Sequence, residues 1–196
     1  MPLRLLEAMM LLAWQYKWYR WIGVTLICFF GIARVGEVLK LRRSDLLLPS
    51  DLLDDEHSAA YVVLWKSKTS TRQPARVQHL KVVDTRAIRL LESIYGEQPK
   101  IDSLYHGTPS VYRRRWDFLL QMLQIPSEVR LRGGGSIELY RKGESIVNIQ
   151  WRMRIRHIGT LESYIQEVAA VSLLPDLGPS VAARIKSFSQ VFRIHF

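Results

Sequence analysis

Residues 22–33 read IGVTLICFFGIA, and residues 31–46 continue the chain as GIARVGEVLKLRRSDL. The first stretch is apolar at nearly every position, a composition typical of a helix that is buried on all sides. It predicts a core helix over residues 21–33. The second stretch is charged, and it predicts a turn at residues 34–36 followed by a short helix over residues 36–41. Together they predict a buried helix that leads into a charged turn.

The apolar run is too short to span a membrane. A spanning helix needs roughly 20 apolar residues, whereas this run is twelve residues long and is closely flanked by Lys17, Arg20 and Arg34. Glu7 interrupts the other apolar stretch, residues 3–19, and no small-residue cleavage pattern follows it. The spacing of apolar positions in residues 3–19 predicts an amphipathic helix instead. We therefore expect a folded core and no membrane partner.

The rest of the chain predicts further helices and one hairpin. Residues 60–66 and 77–83 are rich in β-branched and aromatic residues and predict a β-hairpin with a basic tip. Three glycines in LRGGGSIELYRKG (131–143) introduce a short helix. Capping residues and periodicity predict the other helices, over 85–96, from Thr108 to residue 124, and over 146–154, 160–172 and 180–193. The predicted fold class is mainly α with a small antiparallel β-sheet, as one domain over 1–175 and a helical tail over 176–196.

Composition favours a polyanionic partner. The chain has 28 Lys and Arg against 18 Asp and Glu, a net charge of +10, and a pI near 10.0. Residues 111–156 contribute +6 of this charge, with ten basic and four acidic residues. The single cysteine, Cys28, cannot form an internal disulfide, and no Cys/His cluster has metal-ligand spacing. We therefore expect an intracellular protein, nuclear in a eukaryote, with no bound metal.

Three patterns, taken in order, resemble the catalytic domain of tyrosine recombinases, the phage-integrase family. The first is Ala33-Arg34 followed by Glu37 and Leu41, which matches the family's first-arginine motif. The second is a hairpin lysine in WKSKT, residues 65–69. The third runs from LRGGG to TLESYIQE, residues 131–167. The first arginine precedes Arg132 by 98 residues and Tyr164 follows after 32 more, and the resemblance covers roughly residues 3–172.

The resemblance implies a phosphotyrosine mechanism of DNA strand cleavage and rejoining. Tyr164 is the implied nucleophile, Arg34 and Arg132 clamp the scissile phosphate, and Lys68 is the general acid, with Lys66 as the alternative. Arginine suits the clamp because it stays ionised and binds two oxygens at once, and lysine can release a proton. Glu37 would orient a basic side chain. The further candidates for DNA contact are Lys66, Arg113, Arg114, Arg115, Arg154, Arg156 and His157.

Two positions depart from the family pattern. The family places histidine at the position of Val129, and histidine or tryptophan at that of Ile155. Neither side chain present can accept a proton or donate a hydrogen bond, so the general-base role has no expected occupant. Arg154, Arg156 or His157 is a candidate replacement. Whether this chain is an enzyme is therefore open at this point.

The resemblance also implies the partners. These are duplex DNA and further copies of the chain assembled on it, as in recombination and in the integration of mobile elements, with no cofactor and no small-molecule substrate. Family members usually carry an N-terminal DNA-clamping domain, so we expect a fragment, a truncated copy or a weak clamp. The alternatives are an impaired DNA-binding module that retains the fold, a basic helical protein whose partner is a protein or an anionic membrane, and, less attractive in so short a chain, a type IB topoisomerase.

Overall fold

The computed structural model describes residues 1–52, 59–64, 78–125, 129–155, 159 and 177–196. The described residues contain eight α-helices with assigned bounds: α1 (Leu3–Gln15), α2 (Tyr19–Phe30), α3 (Val35–Val38), α4 (Thr85–Tyr95), α5 (Pro109–Met122), α6 (Leu131–Arg141), α7 (Ile146–Met153) and α8 (Pro179–His195). The described strands are β1 (Leu46–Leu47), β2 (Ala60–Leu64) and β3 (Gln78–Val82). The predicted fold class, mainly helical with a small antiparallel sheet, is confirmed. The predicted helix over 160–172 lies outside the described residues.

Helix α2 forms the centre of the core. Every residue from Trp21 to Phe29 is buried, as the uniform apolarity of this stretch predicts. Helices α1, α4 and α6 pack around it. Gly31, Ile32 and Ala33 after α2 are still buried, and Arg34 is the first partly exposed residue beyond it.

The sheet has three antiparallel strands in the order β1-β2-β3. Val62 on β2 pairs with Leu80 on β3 and with Leu46 on β1. The two longer strands confirm the predicted hairpin pairing, while the connection between them lies outside the described residues. Strand β1 was not predicted, because two residues are too few to show an alternating pattern.

The C-terminal helix α8 packs against α1. Val181, Ile185 and Phe192 belong to the same apolar core as the first helices. The buried Glu7 carboxylate accepts hydrogen bonds from Ser189 Oγ (2.6 Å) and Arg193 Nε (2.9 Å). A charge that interrupts the apolar N-terminal stretch is thus neutralised by the other end of the chain. Among the described residues, no helix is both long and apolar enough to cross a membrane.

Candidate active site at the end of α2

The turn after α2 is made by residues with an unusual backbone. Ile32 has a φ of 53°, in the left-handed region that a β-branched residue rarely adopts. The N–H of Ala33 donates to the carbonyl of Cys28 (3.1 Å) and that of Ile32 to Phe29 (3.4 Å). These two bonds form a Schellman ending. The turn therefore lies earlier than the predicted one at residues 34–36, and the next helix, α3, begins at Val35.

Arg34 and Glu37 are joined by two hydrogen bonds across the start of α3. The backbone N–H of Arg34 donates to Glu37 Oε2 (3.2 Å), and its Nη1 donates to Oε1 (3.0 Å). The Glu37 side chain is 9% exposed and that of Arg34 is 39% exposed. The buried Glu37 carboxylate thus holds the Arg34 guanidinium in place, while the Arg34 side chain remains partly exposed to solvent.

Arg154, which lies 117 residues after Glu37 in the chain, binds the same carboxylate. Its Nη2 donates to Glu37 Oε2 (2.6 Å) and its Nη1 donates to Gln78 Oε1 on β3 (3.0 Å). Arg154 ends α7 in the left-handed conformation, with φ 56° and ψ 42°. This conformation directs its side chain away from the path that a continued helix would give. Its Nε is buried, with no hydrogen-bond partner among the described residues.

The electrostatics of Glu37 follow from these contacts. Burial alone would raise its pKa, but the hydrogen bond and charge of Arg154, with the hydrogen bonds from Arg34, outweigh burial and lower the pKa. Glu37 is therefore ionised at neutral pH. One carboxylate between two guanidiniums leaves a net charge of +1, so this cluster of Arg34, Glu37 and Arg154 can still attract an anion.

Helix α6 brings Arg132 to the same end of α2. A Cβ atom at Gly135 would lie 1.9 Å from the carbonyl oxygen of Phe29, and one at Gly134 would lie 2.4 Å from that of Met1. These glycines lie inside α6, not ahead of it as predicted. Only glycine permits packing this close to the carbonyl groups of Phe29 and Met1. Arg132 lies three residues before Gly135, and its Nε and Nη2 atoms are buried.

Arg152 anchors α7 to this end of the core. Its Nη2 donates to the carbonyl oxygens of Phe30, the last residue of α2 (3.2 Å), and Lys81 on β3 (2.7 Å). Burial lowers the pKa of this guanidinium, although the charge of Glu144 opposes the shift. Arg152 and Gln78 are the residues that sequence reasoning missed, because their partners are backbone carbonyls and a distant arginine that leave no local pattern.

The two positions that carry histidine or tryptophan in the resembling family are apolar here, and their surroundings are apolar as well. Val129 is buried in the main core. Ile155 packs against a small second cluster formed by Ile32, Ile149 and Met153. Neither position supplies a polar group, as the sequence indicates. Within the described residues, no group of acidic, histidine or cysteine side chains could hold a metal ion.

The arginines of α5 lie elsewhere. Arg113 pairs with Asp117 on the same helix (2.8 Å), and the Arg115 guanidinium carbon lies 4.9 Å from the centroid of the Trp18 ring. Trp18 precedes α2, whereas Arg34 follows it, and a twelve-residue helix is about 18 Å long. The structure therefore does not bring Arg115 together with Arg34. The other predicted site residues, Lys66, Lys68, Arg156, His157 and Tyr164, lie outside the described residues.

Comparison with known proteins establishes the fold. No protein-family model matches the chain, and no curated protein matches it. The structure is similar to a crystal structure of the XerH site-specific recombinase bound to its difH substrate as a pre-cleavage complex, with a TM-score of 0.60 and 16% sequence identity. The similarity covers 88% of this chain and 52% of that chain, so this chain spans about half of that recombinase's length. At this identity the similarity shows a tyrosine recombinase-like fold.

Proposed function

We propose that the chain binds duplex DNA and cleaves and rejoins one strand through a 3′-phosphotyrosine at Tyr164. The hydroxyl of Tyr164 releases its proton to a water molecule as its oxygen attacks the phosphorus. The bond from phosphorus to the 5′-oxygen breaks, and Lys68 or Lys66 gives a proton to that oxygen. The reverse steps rejoin the strand. The neighbouring XerH structure, which holds a DNA substrate, supports this choice of partner.

The observation that carries the proposal is the pairing of Arg34 and Arg154 on Glu37. Three properties of this cluster suit the binding of a phosphate group. It has a net positive charge, its partly exposed Arg34 guanidinium is held in place by a buried carboxylate, and it lies at the end of a buried helix. Charge that develops on the phosphate oxygens in the transition state requires donors that are already fixed. In this proposal Arg132 supplies the second guanidinium of the clamp, and the packing of Gly135 on the same helix against Phe29 supports its place at this end of α2.

Arg154 takes part in the proposal as a positioning residue. Its contacts reach Glu37 and Gln78, so it ties α7 and β3 to the carboxylate that holds Arg34. This role differs from that of the histidine or tryptophan which the resembling family has at position 155, and which would contact the phosphate itself. Arg113, Arg114 and Arg115 are not part of the proposed DNA site, because they lie on α5, whose Arg115 contacts the opposite end of α2.

A second candidate function is DNA binding without cleavage. The observation that favours it is the apolar packing of Val129 and Ile155, which leaves two donor positions of the resembling family without polar groups. Loss of one general base or one donor typically costs about 10²–10⁴ in rate. Slow cleavage and no cleavage therefore need to be separated by a method that accumulates a slow product.

Covalent trapping separates the two candidates. The protein is incubated with nicked duplex DNA of random sequence that carries 5′-bridging phosphorothiolates, and adducts are resolved on a denaturing gel. The sulfur leaving group needs no proton and does not religate, so a slow nucleophile accumulates. We expect an adduct with the natural chain, none with Tyr164→Phe, and about 10²-fold less with Arg34→Ala.

The leaving group also identifies the general acid. Replacement of the correct lysine, Lys68→Ala or Lys66→Ala, should leave the phosphorothiolate adduct intact and reduce cleavage of ordinary DNA. The other lysine variant serves as the matched control. If the natural chain forms no adduct but binds the same DNA with steep salt dependence, the function is DNA binding without cleavage. An adduct that persists in Tyr164→Phe would refute the assignment of the nucleophile.

A further inference from the structure

An aromatic patch lies at the other end of α2, and the DNA proposal does not use it. It consists of Tyr16, Trp18, Phe118 and Met122, from the α1–α2 turn and from α5. Tyr16 and Trp18 stack at 5.0 Å, and Phe118 meets them edge-on at 5.3 and 5.8 Å. The hydroxyl of Tyr16 also donates to the Met122 sulfur (3.3 Å). Tyr16, Phe118 and Met122 are each about 40% exposed, so the patch is a continuous apolar surface in contact with solvent.

The backbone between the helices creates this patch. Lys17 adopts a φ of 56°, in the left-handed region, and its N–H donates to the carbonyl of Trp14 (2.9 Å). The chain therefore reverses sharply within one residue and sets Tyr16 beside Trp18. Tyr16 remains 43% exposed in this turn, and exposed apolar patches of this kind mark interaction sites.

The rings are arranged for contact with aliphatic side chains more than for base stacking. Tyr16 lies against the Trp18 ring at an interplanar angle of 25°, and Arg115 lies 4.9 Å from the same ring centroid. The Trp18 ring is therefore already contacted from within the chain by an aromatic ring and by a guanidinium. A nucleobase would need an open face, whereas aliphatic groups pack against ring edges and a flexible methionine.

The charges around the patch define the polarity of its partner. Four cations border it, two of them on α5: Lys17 separates Tyr16 from Trp18, Arg114 lies one helical turn before Phe118, Arg115 lies over Trp18, and Arg184 Nη1 donates to the carbonyl of Met122 (3.4 Å). The neighbouring carboxylate on α5, Asp117, pairs with Arg113 (2.8 Å). The border is therefore positive, and it complements an acidic segment.

We propose that this patch binds an acidic amphipathic helix of a protein partner. Aliphatic side chains of that helix would pack on Tyr16, Phe118 and Met122, and its carboxylates would face Lys17 and the arginines of the border. This is recognition of an amphipathic helix through anchors spaced at helical intervals. The patch and Arg34 lie at opposite ends of α2, about 18 Å apart by helix rise, so the two surfaces use different residues.

The test uses a designed helix as the probe. A fluorescein-labelled peptide of about 16 residues carries leucine at i, i+3, i+4 and i+7 positions and glutamate or alanine elsewhere, and anisotropy measures its binding to the full chain. We expect binding at about 0.15 M salt, and about tenfold weaker binding to the double variant Phe118→Ser, Met122→Ser. Arg114→Glu, which leaves the apolar surface unchanged, should also weaken binding severalfold.

Matched controls keep the proposal falsifiable. Val147→Ser removes an even more exposed apolar side chain, on α7, and should bind the probe as the natural chain does. Thermal melting confirms that each variant is folded. A peptide with lysine in place of glutamate, or with its leucines scrambled, should bind at least tenfold more weakly. Equal binding to the double variant, or to the lysine peptide, would overturn the proposal. So would preferential capture of a single-stranded oligonucleotide or of phosphatidylserine vesicles that is lost in the double variant.

Discussion

The two ends of α2 hold arginines in opposite ways. At the C-terminal end, Arg34 and Arg154 bind one buried carboxylate, Glu37, through charge-assisted hydrogen bonds of 3.0 and 2.6 Å. At the N-terminal end, Arg115 lies against the Trp18 ring. One end is an ionic cluster with excess positive charge, and the other is an aromatic surface bordered by cations.

This contrast shows that the number of cations does not identify a phosphate site. Residues 111–156 are the most basic part of the chain, yet two of their arginines, Arg115 and Arg154, lie at opposite ends of α2. What distinguishes the ends is the group that holds each guanidinium. A carboxylate fixes the direction of N–H donors, whereas an aromatic face attracts the cation without fixing its donors.

The largest effect on stability is expected from a substitution that separates α6 from the C-terminal end of α2. Gly135→Val places side-chain carbon where the Phe29 carbonyl lies, 1.9 Å from an ideal Cβ. The backbones of α2 and α6 must therefore move apart. We expect the free energy of unfolding to fall by about 3 kcal/mol, and we expect Arg132 to leave the candidate active site. Urea denaturation measures the first effect, and covalent trapping measures the second.

The matched glycine control is Gly36→Ala. A Cβ there meets no atom within 4 Å, and the position lies in the short helix α3, so stability should change by less than about 1 kcal/mol. An unchanged urea midpoint for Gly135→Val would contradict the close packing of α2 against α6.

A smaller effect is expected from neutralising Glu37, and it depends on pH. Glu37→Gln should lower the free energy of unfolding at pH 7 by about 2 kcal/mol, the range for hydrogen bonds to charged groups. Because the folded state lowers the pKa of Glu37 from its ordinary 4.5, this stabilisation is complete above about pH 4.5. It is lost as the pH falls further. The difference between the two proteins should therefore shrink between pH 5 and pH 3.

The control carboxylate is Asp117, which pairs with Arg113 and is 45% exposed, against 9% for Glu37. Exposed pairs contribute about 0–1 kcal/mol, so Asp117→Asn should melt within a degree or two of the natural chain at both pH values. A Glu37→Gln difference that stays constant with pH would show that the carboxylate charge is not what stabilises the cluster.

The smallest effect is expected at the aromatic end. Arg115→Gln removes the contact with Trp18 and should cost about 0.5–1 kcal/mol of stability, as measured by urea denaturation. The yield of trapped DNA adduct should not change. The sequence predicts that Arg115 contacts DNA, and a marked fall in DNA affinity in Arg115→Gln, with Arg113→Gln as comparison, would support that prediction.

Much of the fold was predictable because its signals are local. The N-caps at Asp84 and Thr108 accept the predicted backbone hydrogen bonds, from Ala87 (3.1 Å) and Val111 (3.2 Å). The hairpin strands pair as their composition indicates. The turn after α2 was misplaced, since Ile32 adopts a conformation that isoleucine rarely takes and no propensity predicts it.

The candidate site was predictable only in part. The spacing of Arg34, Glu37 and Arg132 indicates their grouping through resemblance to a family. The sequence offered Arg154 as one of several basic residues near position 155. It did not predict the contact with Glu37, because the left-handed ending of α7 directs the Arg154 side chain to a carboxylate 117 residues away.

By itself, the sequence determined the helices, the hairpin, the buried path of α2 and the excess of positive charge. These depend on periodicity, capping and composition, which act over a few residues. Tertiary structure alone decided which arginines share Glu37, which lie against Trp18, and why the glycines of α6 are needed. Those outcomes depend on contacts between residues far apart in the chain, where a fraction of an ångström at Gly135 or one left-handed residue determines which groups meet.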